Sequence, residues 1–134
     1  MASVEDIEGV GPAYAAKLAE AGVKTIEGLL EAGATRKGRA DLIEKTGISD
    51  KLVLKWVNHA DLIRVQGVDP NLAELLEAAG VDTVKELATR NATNLAAKLA
   101  EVNGTRKLAS SVPDADGVTA MIAAAKGLPG VLTY

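Results

Sequence analysis

Apolar residues recur at three- and four-residue spacing along most of the chain, and no stretch sustains an alternation of apolar and polar positions. This predicts amphipathic helices, because 3.6 residues per turn bring such positions to one face, and it predicts an all-α fold. Tyr14, Leu18 and Ala21 mark one face of a helix from Pro12 to Ala21. Ile26, Leu29 and Leu30 mark the next, and Leu42 and Ile43 the one after. Leu52, Trp56, His59 and Ile63 form a stripe on a longer helix over 50–63, with Ile48 and Val53 placed as a hydrophobic staple. The second half continues with a helix from Pro70 to Ala79, one opened by Thr83, one from Leu95 to Val102, and a last one carrying Val118, Met121, Ile122 and Ala125.

The polar punctuation agrees with this division. Ser3, Thr25, Thr35, Ser49 and Thr83 stand where a side-chain oxygen can cap a helix start. Gly22, Gly33, Gly47, Gly80 and Gly104 stand where helices are expected to stop. Ser3 also opens a short helix before Gly9-Val10-Gly11, and Pro12 then begins the next helix at a position that needs no amide donor.

The pattern repeats. A shift of 58 residues places Gly9, Val10, Pro12, Ala15 and Leu18 on Gly67, Val68, Pro70, Ala73 and Leu76. Thr25, Leu29, Ala34 and Thr35 fall on Thr83, Leu87, Ala92 and Thr93; dropping one residue then aligns Leu42 with Leu99 and Gly47 with Gly104. The expected organisation is two tandem five-helix repeats, 1–62 and 63–134, sharing the 50–63 helix and packed as one unit. The second carries an extra segment around Arg106 to Asp114.

Composition narrows the chemistry. There is no cysteine, which excludes disulfides, thiolate metal sites and thiol catalysis and is compatible with a cytoplasmic protein. No apolar run approaches the roughly 20 residues needed to span a bilayer, so no membrane role is expected. Net charge is −3, and neither half is basic: residues 1–63 hold 8 basic and 10 acidic side chains, residues 64–134 hold 7 and 8. With no Phe, one Trp and two Tyr, few rings are available for stacking bases. The densest basic cluster is Arg36, Lys37 and Arg39, with Lys17 and Lys24 as further cations. His59 has no nucleophile at a spacing that would make it a general base, and the acidic residues do not form a calcium loop. No catalytic residue, cofactor or metal site is expected, and the chain is read as a non-enzyme.

Gly9-Val10-Gly11-Pro12-Ala13-Tyr14-Ala15 resembles the helix-hairpin-helix motif. With the Trp56–Leu62 segment, the chain as a whole resembles the bacterial domain-of-unknown-function family numbered 4332. The hairpin resemblance implies sequence-independent binding of a DNA backbone, with a phosphate at the helix N-terminus. By motif position, Gly9 and Gly11 shape the turn, the amides of Gly11, Ala13 and Tyr14 donate, and Lys17 follows one turn later. In related hairpins a monovalent cation sits on main-chain carbonyls, here those of Glu5, Ile7 and Val10. Arg36, Lys37 and Arg39 would extend the phosphate-facing surface. The second hairpin departs from the pattern: Asp69 stands in place of Gly11, which puts a carboxylate where a phosphate should approach, and Glu74 and Glu77 follow. Two readings stay open: a nucleic-acid backbone held at the first hairpin, or a protein-interaction module using an apolar helix face.

Overall fold

The structure is a computed structural model that describes residues 3–133. Among the described residues a 3-10 turn, Val4–Asp6, precedes eight helices: α1 Pro12–Glu20, α2 Ile26–Ala32, α3 Arg36–Thr46, α4 Asp50–Ile63, α5 Pro70–Ala78, α6 Val84–Ala88, α7 Ala92–Arg106 and α8 Ala115–Lys126. The fold is all-α, as the periodicity predicts. Contacts divide the described residues into two units, 3–61 with 131–133 and 62–130, and the boundary falls in the last turn of α4.

The first unit buries Ile7, Leu18, Leu29, Val53, Trp56 and Val57 almost completely. A fully buried aliphatic side chain of this kind contributes about 1.5–3 kcal/mol. The expected opening helix is only the 3-10 turn. Ser3 Oγ accepts from the Glu5 amide, the Val4 amide is tied to the Lys24 carbonyl, and Ile7 is already extended, so no further turn can add. On α4, Trp56 and His59 of the predicted stripe are fully buried, Leu52 and Ile63 are half-buried, and Val53, Val57 and Ala60 complete the apolar face.

Two residues of the Thr35–Arg39 segment serve packing. Gly38 lies where the end of α2 approaches the first turn of α3, and a Cβ there would collide with the Ala32 carbonyl oxygen. Main chain cannot yield as a side chain can, so Gly38→Ala is expected to cost about 1–3 kcal/mol in denaturant unfolding. A cost below ~0.5 kcal/mol, the usual scale of a neutral surface change, would refute the close approach. Arg39 is only 8% exposed. Its guanidinium donates to the carbonyls of Gly33 at 2.9 Å, Ala34 at 3.4 Å and Thr133 at 2.6 Å. The Thr133 amide donates in turn to the Ala34 carbonyl at 2.8 Å, so the end of the described chain is stitched to the α2–α3 junction. Arg39→Leu leaves those carbonyls short of a charged donor. It is expected to cost about 1–3 kcal/mol and to accelerate hydrogen exchange at the Thr133 amide; unchanged exchange there would argue against the stitch.

The second unit runs from the end of α4 through α5, α6, α7 and α8. Its core gathers Leu62, Leu72, Leu75, Leu76, Leu87 and Leu99, with α8 packed against both α6 and α7. The Leu95–Val102 helix expected from the repeat is longer at both ends. Asn91 caps it by accepting from the Asn94 amide at 3.0 Å. Gly104 does not stop it. The helix continues to Arg106 and ends at Lys107, which adopts a left-handed conformation at φ +52. The Asn103 side chain both donates to the Ala109 carbonyl and accepts from the Ala109 amide, each at 2.9 Å, and so fastens the segment that follows.

Candidate functional site

The two glycine turns share their backbone design. Gly9 and Gly67 take φ +91 and +95, a region that favours glycine. The Val10 and Val68 amides each donate back three residues, to Ile7 and Val65, at 3.0 Å. Each turn then leads into a proline-opened helix from an extended residue, Gly11 or Asp69.

Their chemistry differs at that extended residue. Asp69 Oδ1 accepts from the Leu72 amide at 2.7 Å, so α5 caps itself with its own carboxylate. Gly11 has no side chain to do this. Among the described residues the amides of Gly11, Ala13 and Tyr14 have no acceptor, and α1 is uncapped. Each of the other seven α-helices receives a side-chain oxygen, from Thr25, Thr35, Ser49, Asp69, Thr83, Asn91 and Asp114. The second turn also shares a cleft of about 370 Å³ with residues 109–113 of the extra segment, which has no counterpart at the first turn.

Behind the first turn stands Trp56, 1% exposed. Its Nε1 lies 3.5 Å from where a Cβ on Gly9 would sit, and this buried donor has no hydrogen-bond acceptor among the described residues. The Tyr14 ring meets the indole edge to face, with centroids 5.1 Å apart, and Lys17 Nζ lies 5.8 Å from the Tyr14 ring centroid. Tyr14 is half-buried, while Ala13 and Lys17 are exposed. Lys24 lines a small cleft with Pro12, on the same side of α1 as Ala16 and Ala19. The structure thus gathers Gly9, Gly11, Ala13 and Tyr14 at one helix start, with Lys17 one turn along reaching back to the Tyr14 ring.

Arg36 and Arg39 line a different feature, a groove between α3 and α4, and Arg39 is engaged with main-chain carbonyls. The open cations of that cluster are Arg36 and Lys37. Lys51, which shares the groove with Arg36, carries no sequence signal because it lies 15 residues further on, and only packing of α4 on α3 brings the two to one groove.

Turn and fold together define an all-α protein of two helical units with one open and one self-capped glycine turn. The chain belongs to the family of a domain of unknown function, DUF4332, whose model matches residues 8–128. Comparison with curated proteins and with solved structures finds no match. Among the described residues no helix is long and apolar enough to cross a membrane.

Proposed function

We propose that the protein is a non-enzymatic binding module built on helix-hairpin-helix-like repeats, and that its first hairpin holds a phosphate of a nucleic-acid backbone without regard to base sequence. The observation that carries this reading is the uncapped start of α1. The amides of Gly11, Ala13 and Tyr14, without acceptors among the described residues, stand at the positive end of a helix dipole, which suits the oxygens of a monoanionic phosphodiester. Lys17, one turn along, adds a charge that can follow the backbone. The amides read no base, so the interaction distinguishes phosphate spacing and not sequence.

The test is titration of a fluorescent DNA duplex and a single strand of the same sequence with the full chain. If about two phosphates are neutralised, affinity should fall roughly tenfold between about 50 and 200 mM salt. Absence of binding at the lower salt, or binding that ignores salt, would overturn the reading. The alternative, a protein-interaction module, is favoured by the apolar groove between α3 and α4.

A further inference from the structure

We infer that the groove between α3 and α4 docks a protein partner presenting an amphipathic helix whose apolar stripe is bordered by carboxylates. The groove encloses about 430 Å³ and lies wholly within the first unit. Its floor is apolar: Ala40 is exposed, and Ile43 and Leu54 are half-buried. Ala40 and Ile43 are three residues apart on α3, as Lys51 and Leu54 are on α4. Each helix thus offers the groove a pair of side chains at helical spacing, between which a third helix can set its anchors at i, i+3 and i+4.

The rim fixes the sign of the partner. Arg36 and Lys51 are exposed, and neither pairs with a carboxylate among the described residues. The one acid at the groove, Asp50, has Oδ1 turned to the Lys51 amide at 2.8 Å. Both cations sit in the first turn of a helix, where the dipole opposes positive charge, and the first turn of α3 holds no acid at all. In a chain of net charge −3, two unpaired cations beside an apolar floor complement an acidic, apolar ligand. A single-stranded nucleic acid fits this groove poorly because no ring lines it for stacking, and a duplex backbone gains nothing from its apolar floor. A membrane fits poorly because insertion needs apolar side chains that project, and these line a concavity.

The inference concerns a surface other than the first hairpin and is tested apart from it. A phage-displayed library of random peptides about 16 residues long, roughly four helical turns, is selected against the full chain. The enriched peptides are then titrated against Arg36→Glu/Lys51→Glu, Ile43→Ser and Gly11→Asp variants. Glutamate suits both helix starts, so the charge-reversed variant should fold, with circular dichroism as the control. The expected result is enrichment of sequences with apolar residues three or four apart and flanking Asp or Glu. Their binding should weaken about tenfold or more on charge reversal, because glutamates facing the partner's carboxylates repel them, and on Ile43→Ser, because an apolar anchor is lost; Gly11→Asp should not change it. No enrichment, or binding indifferent to Arg36→Glu/Lys51→Glu and Ile43→Ser, would overturn the inference. So would enriched basic peptides, or DNA binding that depends on Arg36 and Lys51 and not on Gly11.

Discussion

Trp56→Ala is expected to destabilise the protein by about 3–5 kcal/mol, the range for removing a buried aromatic ring and leaving its cavity. The ring is 1% exposed and is placed against both the Gly9 turn and the Tyr14 ring. Neither neighbour can collapse into the space freely. Gly9 has no side chain to fill it, and Tyr14 is held at the first turn of α1. Trp56→Phe should cost clearly less, because it keeps most of the ring and removes a buried indole N–H that has no acceptor, a group whose desolvation costs about 1–3 kcal/mol. Trp56 is the only tryptophan, so unfolding must be followed by circular dichroism and not by indole fluorescence. A Trp56→Ala variant within about 1 kcal/mol of the parent, the typical effect of an arbitrary point mutation, would show that the indole is not the keystone of the first unit.

Gly11→Asp is expected to move stability and binding in opposite directions. Gly11 has φ −84, which any residue adopts, and a Cβ there meets nothing within 4 Å. The new carboxylate would stand to Tyr14 as Asp69 stands to Leu72, three residues on and at hydrogen-bonding distance. The added cap and the lost glycine freedom together should raise stability by about 0.5–1 kcal/mol. The same carboxylate occupies the amides offered to a phosphate and repels it. The loss of charge-assisted hydrogen bonds, about 1.5–3 kcal/mol each, corresponds to a ten- to hundredfold weaker complex with duplex DNA at low salt. Thermal melting and fluorescence anisotropy on the same sample check both halves. DNA affinity equal to the parent's, with the stability gain realised, would remove the first hairpin as a phosphate site while leaving the description of the fold intact.

Much of this architecture is legible in the sequence because helix signals are local. Thr25, Thr35, Ser49 and Thr83 cap the helices they were read to cap, and the alignment of Gly9 with Gly67 holds down to their matching φ angles. The contrast between Gly11 and Asp69 is likewise a single-residue difference, read from the chain and matched by a cap bond in one turn and its absence in the other. The misreadings arise where a local signal is overruled. Gly104 resembles a stop, but a helix ends where its continuation is blocked, and the left-handed Lys107 with the clamp between Asn103 and Ala109 sets that point just after Arg106. The opening helix fails because Ile7, buried in the core, is already extended and ends the turn after Asp6.

What the sequence by itself determined is the class of fold, the caps at Thr25, Thr35, Ser49 and Thr83, and the inequality of the two turns. Each depends on residues within about one helical turn of one another. What only the tertiary structure decided is the role of each cation. Arg36, Lys37 and Arg39 are one basic cluster in sequence, yet successive helical positions point in different directions. Lys37 leaves the face that Arg36 and Arg39 share three residues apart; on that face Arg39 is drawn inward to main-chain carbonyls, while Arg36 stays exposed at the groove with Lys51 from another helix. Lys17 remains with Tyr14 at the open start of α1. Charge is written residue by residue, but whether it faces a carbonyl, a groove or solvent depends on which helices pack together.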